Sequence, residues 1–125
     1  MKLLLDTHIF LWALSDPGKI TQPQRRVIES TASIVYVSAI SIAEITIKAS
    51  IGKLTVNFDP VDEAERAGFE MLDYSGRDAA ALQDLPFHHR DPFDRMLIAQ
   101  SIQRRIPLIT NDPAFNRYAC RVVHS

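Results

Sequence analysis

The sequence has few of the residues that build disulfide or zinc frameworks. It contains one cysteine, Cys120, which excludes an intrachain disulfide. A zinc site is not expected either, because its other ligands would have to come from scattered histidines. These are His8, His88, His89 and His124.

Neither a strong net charge nor a long apolar run is present. The formal net charge is -1, from 14 Lys and Arg against 15 Asp and Glu, so an RNA-binding surface would need local clusters of basic residues. No apolar stretch is long enough to span a membrane, and Asp6 interrupts the first apolar run too early for a signal peptide. We therefore expect a cytoplasmic protein with no membrane partner.

The composition is that of an ordinary folded domain. The 125 residues are 46% hydrophobic and 23% charged, which is close to the average for globular proteins. A chain of this length can bury about two thirds of its unfolded surface around one core. We predict a single domain over residues 1–125.

Short apolar segments alternate with helical patterns along the chain. The segments are rich in Leu, Ile and Val, as expected for strands buried on both faces of a parallel sheet. This order predicts an α/β protein, a three-layer α/β/α sandwich with a central parallel sheet. The predicted strands are residues 2–5, 34–37, 69–73, 107–110 and 120–123, and the predicted helices are residues 7–14, 21–31, 41–51, 60–67, 75–85, 93–104 and 113–118.

Acidic residues come at or near the ends of the predicted strands. Asp6 ends the first strand, and Asp112 follows the fourth. Glu44 lies in the first turn of the helix after the second strand, and Asp94 begins the helix that precedes the fourth. Ligands of open α/β sheets bind beyond the carboxyl ends of the strands, so we expect these four acids to share one site.

A cluster of four carboxylates needs something to neutralise it. Two carboxylates roughly 5 Å apart repel by about 3 kcal/mol at an effective dielectric of about 20, and four acids form about six pairs. That sum rivals the stability of a small domain, so either cations bind or some acids take up protons with raised pKa values. Oxygen ligands suit Mg²⁺ or Mn²⁺, which bind substrate phosphate and activate water. Phosphodiester hydrolysis is the predicted reaction.

Four stretches of the sequence occur together in a known family. They are residues 4–8 (LLDTH), 38–44 (SAISIAE), 89–100 (HRDPFDRMLIAQ) and 110–112 (TND). In this order and spacing, they resemble the PIN domain of VapC-type toxins over almost the whole chain. The resemblance implies an RNA endonuclease that uses Mg²⁺ or Mn²⁺, is held silent by a cognate antitoxin and forms a homodimer.

The resemblance also implies roles for the acids. Asp6, Glu44 and Asp94 match acids that bind metal, and Asp112 matches the acid that completes the site. Asp91 competes with Asp94 for the position that faces the metal. We prefer Asp94, because it has the family's spacing and lies on the core-side face of its helix.

Each acid also has an ordinary structural interpretation. Glu44 could form a capping box with Ser41, and Asp6 could cap the first helix. Asp112 could begin a turn, and Asp94 could complement the dipole of its helix. None of these interpretations explains why all four acids map to one edge of a sheet.

Histidine and basic residues near the acids are open to two interpretations. His88 and His89 are expected to be solvated loop residues, whereas His8 could contact substrate or pack in the first helical turn. Basic residues around the cleft could hold RNA phosphates or be ordinary surface charges. They are Arg90, Arg95, Arg104, Arg105, Lys48 and Lys53.

Two other functions remain open at this point. A phosphatase or phospho-acceptor domain also has an acid after its first strand, but His8 stands where such phosphatases have a second Asp. A non-catalytic PIN-like domain that binds RNA or a protein would keep the fold without needing the carboxylate of Asp6. Labelling of Asp6 by a phosphoryl donor would support the first alternative. The second predicts no loss of toxicity in Asp6→Asn, whereas the nuclease predicts loss of toxicity and of cleavage.

Overall fold

Five parallel strands form the centre of the protein. The computed structural model describes residues 1–123, so His124 and Ser125 lie outside the described residues. The strands are β1 (Lys2–Leu5), β2 (Ile34–Ser38), β3 (Glu70–Leu72), β4 (Leu108–Ile109) and β5 (Val122–Val123). They pair in the order β3-β2-β1-β4-β5, and every pair is parallel. The predicted parallel sheet is confirmed.

Helices cover both faces of this sheet, which makes the predicted three-layer α/β/α sandwich. Within residues 1–123 they are α1 (Thr7–Ser15), α2 (Gln22–Glu29), α3 (Ala39–Ser50), α4 (Pro60–Arg66), α5 (Gly76–Ala80) and α6 (Pro92–Arg104). Short 3-10 turns lie at Pro17–Lys19, Ala81–Asp84 and Pro113–Arg117. None of the helices in the described part of the chain is long and apolar enough to cross a membrane.

The central strand β1 is buried on both faces because its leucines alternate between two cores. Leu3 and Leu5 belong to one apolar cluster together with Phe10 of α1. Leu4 belongs to the other cluster together with Leu97 of α6. Fully burying a leucine contributes about 1.5–3 kcal/mol, so this strand is firmly anchored and its carboxyl end is fixed in place.

The start of α3 differs from the prediction. Ser38 ends β2 in an extended conformation and caps the helix, because its hydroxyl accepts the N–H of Ile40 at 3.1 Å. The helix therefore begins at Ala39, two residues before the predicted start. Ser41 lies inside the helix, so the predicted capping box of Ser41 and Glu44 is wrong. The earlier serine takes the cap because the strand ends there.

Other element boundaries also differ from the prediction. The predicted helix over residues 75–85 is α5 followed by the 3-10 turn Ala81–Asp84. The predicted helix over residues 113–118 is the 3-10 turn Pro113–Arg117. Both segments are short, and 3-10 turns of a few residues are frequent at helix ends and as connectors.

A buried ion pair joins α5 to α6. Asp78 is 1% exposed and accepts from Nε and Nη2 of Arg104, each at 2.9 Å. The N–H of Ser75 and the side-chain amide of Gln100 donate to the same carboxylate at 3.0 and 3.1 Å. Burial raises the pKa of Asp78, but these hydrogen bonds outweigh it and hold the pKa below its usual value. The ionised carboxylate therefore stabilises the fold.

We expect Asp78→Asn to lower the free energy of unfolding by about 2 kcal/mol at pH 7, because hydrogen bonds to a charged group are lost. The folded pKa lies below the unfolded value, so this contribution is present above the unfolded pKa and is lost as the pH falls through the folded pKa. Urea unfolding at pH 7 and pH 3 measures both effects. Asp84→Asn, at an exposed neighbouring position, is the control. Equal losses in the two variants would contradict the assignment.

Candidate metal centre

Asp6 leaves the carboxyl end of β1 and caps α1. Its Oδ1 accepts the N–H of Ile9 at 2.7 Å, and the hydroxyl of Thr110 donates to its Oδ2. The residue is 3% exposed. Burial raises the pKa of Asp6, the two hydrogen bonds lower it, and the charge of Asp112 raises it again, with a net upward shift. Asp6 is therefore both a helix cap and a buried carboxylate whose charge favours a nearby cation.

Glu44 lies on the buried side of α3 and is also 3% exposed. Its Oε2 forms an ion pair with Nζ of Lys48, one helical turn further on. Its Oε1 is buried and has no hydrogen-bond partner among residues 1–123. Leaving a buried acceptor unsatisfied costs about 1–3 kcal/mol, and more for a charged group. This oxygen is therefore suited to a cation.

Asp94 and His89 meet at the start of α6. Asp91 caps the helix by accepting the N–H of Asp94 at 2.9 Å, and Oδ2 of Asp94 lies 2.8 Å from Nε2 of His89. Burial raises the pKa of Asp94 to about 6; the charges of Asp91 and Glu44 add to the rise, and His89 opposes it. Of the two neighbouring aspartates, Asp91 is the helix cap and Asp94 is the acid in contact with His89.

Asp112 follows β4 and lies close to His89 and Asp94. Its N–H donates to the hydroxyl of Thr110 at 3.0 Å, and its Oδ1 accepts the N–H of Ala114 at 2.9 Å. One ligand atom from each of His89, Asp94 and Asp112 lies within 4.8 Å of the other two. A divalent ion could contact all three groups after small side-chain movements.

Two of the four predicted acids, Asp94 and Asp112, meet with His89 in the group of three. Asp6 and Glu44 are outside the group of three, but they are close enough to feel its charges. Asp112 raises the pKa of Asp6, and Glu44 raises the pKa of Asp94. The structure therefore places two nine-tenths buried carboxylates beside a compact pair of acids. Such a donor set fits a divalent cation.

Sequence reasoning missed His89, which was expected to be a solvated loop residue. Its side chain is 25% exposed and contacts Asp94, so an imidazole nitrogen lies next to the expected oxygen ligands. An imidazole nitrogen is a poorer ligand for Mg²⁺ than for transition metals. No pattern in the sequence marks His89, because its contact with Asp94 depends on the path of the loop before α6. His88 is exposed, as expected.

Two of the basic residues predicted to surround the acids line a cavity next to them. Lys48 and Lys53 border this cavity of about 210 Å³ together with Glu44. Arg95 and Arg104 are engaged elsewhere, in a cation–π contact and in the ion pair between α5 and α6. Positive charge next to the acids therefore comes from the two lysines more than from these two arginines.

Gln24 supports the loop that carries Asp112. This buried side chain donates from Nε2 to Oδ1 of Asn111 at 2.7 Å and to the carbonyl of Val123 at 3.3 Å. Its Oε1 accepts the N–H of Thr21 at 3.1 Å and completes the capping box of α2. Gln24 and Asn111 are 87 residues apart, so no local pattern predicts this contact.

Fold and geometry together define a class of protein. It is an open parallel α/β protein with a candidate divalent-metal site beyond the carboxyl ends of its central strands. The chain belongs to the PIN domain family, whose model matches residues 3–120. The resemblance found in four stretches of the sequence is thereby confirmed.

Several solved structures share this fold. The chain resembles one in VapBC2 from Rickettsia felis bound to a promoter DNA fragment, with a TM-score of 0.73, 16% identity and 98% of each chain covered. For DNA-bound VapBC from Salmonella typhimurium the TM-score is 0.70 at 20% identity, covering 98% of this chain and 97% of that one. For VapBC-5 from Mycobacterium tuberculosis it is 0.61 at 17% identity, covering 99% and 98%. At these identities the likeness shows a shared fold. No curated protein matches the sequence.

Proposed function

We propose that this protein is a metal-dependent endoribonuclease that hydrolyses RNA phosphodiester bonds and is the toxin of a toxin–antitoxin pair. The observation that carries the proposal is the meeting of Asp94 and Asp112 beside the buried carboxylates of Asp6 and Glu44. Membership of the PIN domain family and the fold shared with VapBC complexes support a nuclease at the level of the family.

Asp6, Glu44, Asp94 and Asp112 would hold Mg²⁺ or Mn²⁺ in this proposal. The buried Oε1 of Glu44, which has no hydrogen-bond partner in the described part of the chain, supports such a ligand role. A bound divalent ion would lower the pKa of a water molecule and neutralise charge on the scissile phosphate. With one imidazole nearby, Mn²⁺ fits the donor set at least as well as Mg²⁺.

Residues of the chain itself orient the acids and receive the substrate. The hydroxyl of Thr110 donates to the carboxylate of Asp6 and accepts the backbone N–H of Asp112, so it links Asp6 to the loop that carries Asp112. Lys48 and Lys53 border the cavity next to Glu44 and would bind RNA phosphates there. This local positive charge gives a protein of near-neutral charge a place to hold a polyanion.

Partners of the protein follow from the same proposal. Chains with this fold occur in VapBC complexes, so we infer a cognate antitoxin protein as the partner that silences the nuclease. The earlier resemblance also implies a homodimer, and the absence of a signal peptide and of a long apolar stretch predicts the cytoplasm. Size-exclusion chromatography with light scattering on the purified chain tests the homodimer.

The proposed reaction is tested with purified chain, free of antitoxin, and single-stranded RNA. We expect cleavage with Mg²⁺ or Mn²⁺, none with EDTA, and recovery when Mn²⁺ is added in excess. Thermal unfolding without RNA is the second measurement, because a metal at 100 times its Kd stabilises the fold by about 2.7 kcal/mol. Intact RNA under every metal condition, with no metal-dependent rise in Tm, would overturn the proposal.

A further inference from the structure

A second cavity opens beside the acids, and aromatic side chains form part of its wall. It measures about 240 Å³ and is lined by Asp6, His8, Trp12, Asn111 and Asp112. Trp12 is the one tryptophan in the sequence. It lies one turn after His8 on α1, with ring centroids 6.0 Å apart and an angle of 43° between the rings. An aromatic surface therefore borders the candidate metal centre directly.

Positive charges lie on both sides of this aromatic surface. Nζ of Lys19 is 5.7 Å from the centroid of the Trp12 ring. His8 lines this cavity and also the neighbouring one, which Lys48 and Lys53 border. A polyanion bound over these two cavities would thus meet Lys19, Lys48 and Lys53 as well as the acids. The lysines attract its phosphates, whereas the acids repel them.

We propose that Trp12, together with His8, is a stacking platform for a base of single-stranded RNA next to the scissile phosphate. This inference rests on the proposed function and adds a base-binding subsite to it. Proteins that bind single strands stack unpaired bases on aromatic side chains, and the contact tolerates any sequence because every base has a π face. A stacked base supplies binding energy that offsets the repulsion between the RNA phosphates and the carboxylates of Asp6 and Asp112.

Kinetics of three variants test the platform. Trp12→Ala is expected to raise KM for a single-stranded RNA about tenfold with little change in kcat, because a stacked base contributes binding in ground state and transition state alike. Trp12→Phe keeps an aromatic ring and should restore most of the affinity. Ile102→Ala is the control, since Ile102 is an exposed apolar residue near the other end of α6 from Asp94. Circular dichroism checks that each variant is folded.

Fluorescence of Trp12 gives a readout that does not depend on cleavage. Octaadenylate RNA, added with Ca²⁺ in place of Mg²⁺, should quench the emission in a saturable way. Octauridylate should quench the emission as well, because every base has a π face.

Two sets of results distinguish the stacking platform from the proposed function. Cleavage without quenching, and with the same KM in Trp12→Ala as in wild type, would overturn the platform and leave the proposed function standing; a cavity that receives a protein partner gives this result. Saturable quenching in a protein that cuts no RNA with Mg²⁺ or Mn²⁺ would support the platform and overturn the proposed function.

Discussion

Asp6→Asn is expected to lower kcat/KM for RNA cleavage about a thousandfold or more while the protein stays folded. A metal ion contributes several kcal/mol of transition-state stabilisation, and each 1.36 kcal/mol is a factor of ten in rate. Asparagine keeps an oxygen that accepts the N–H of Ile9, so the cap of α1 is retained. The charge that would hold the cation is lost. Mapped cleavage of one RNA by both proteins, over a range of Mn²⁺ concentrations, measures the effect.

The matched control for this experiment is Asp16→Asn. Asp16 is an exposed acid at the other end of α1, and its carboxylate lies 3.8 Å from Lys19. We expect its kcat/KM to stay within about twofold of wild type, because exposed ion pairs contribute little. Activity of Asp6→Asn within a few-fold of the control would remove Asp6 from the metal site. Loss of activity with loss of the circular dichroism signal would assign Asp6 a structural role instead.

The sheet and the positions of three acids near its edge could be predicted, because each leaves a pattern within a short stretch of the sequence. Buried parallel strands are continuous apolar runs, so β1 and β2 were visible in the sequence. Asp6 and Asp112 directly follow strands, and the carboxyl ends of parallel strands meet at one edge. Asp94 could be placed because Pro92 marks the first turn of its helix, and its spacing matched the family.

Features that depend on the path of the folded chain could not be predicted. Gln24 contacts Asn111, which is 87 residues away in sequence, and no pattern within α2 marks it as different from other capping-box residues. The pairing of His89 with Asp94 depends on the path of a loop. Ser38 and Ser41 are both good helix caps in sequence, and the point where β2 ends decides between them.

Asp94→Asn is expected to abolish cleavage. Relative to wild type, it is also expected to be more stable without metal and less stable with metal. Burial and neighbouring charges raise the pKa of Asp94 from 3.8 to about 6, so its ionised form destabilises the metal-free fold. A shift of this size corresponds to about 3 kcal/mol at pH 7.5. The amide removes that cost and still offers an oxygen to His89. We therefore expect the variant to be the more stable protein in EDTA.

The dependence on pH and metal separates this explanation from a simple packing effect. An acid with a raised folded pKa costs stability as the pH rises from the unfolded value through the folded one, so the advantage of Asp94→Asn should be small at pH 4 and full above about pH 7. With saturating Mn²⁺ the order reverses, because wild type gains binding energy through Asp94 and the variant has lost that ligand. Urea unfolding at both pH values, with EDTA or Mn²⁺ and with Asp84→Asn as control, measures all four conditions. A variant less stable than wild type in EDTA at every pH would mean that His89 already neutralises the carboxylate, and that no cation is needed there.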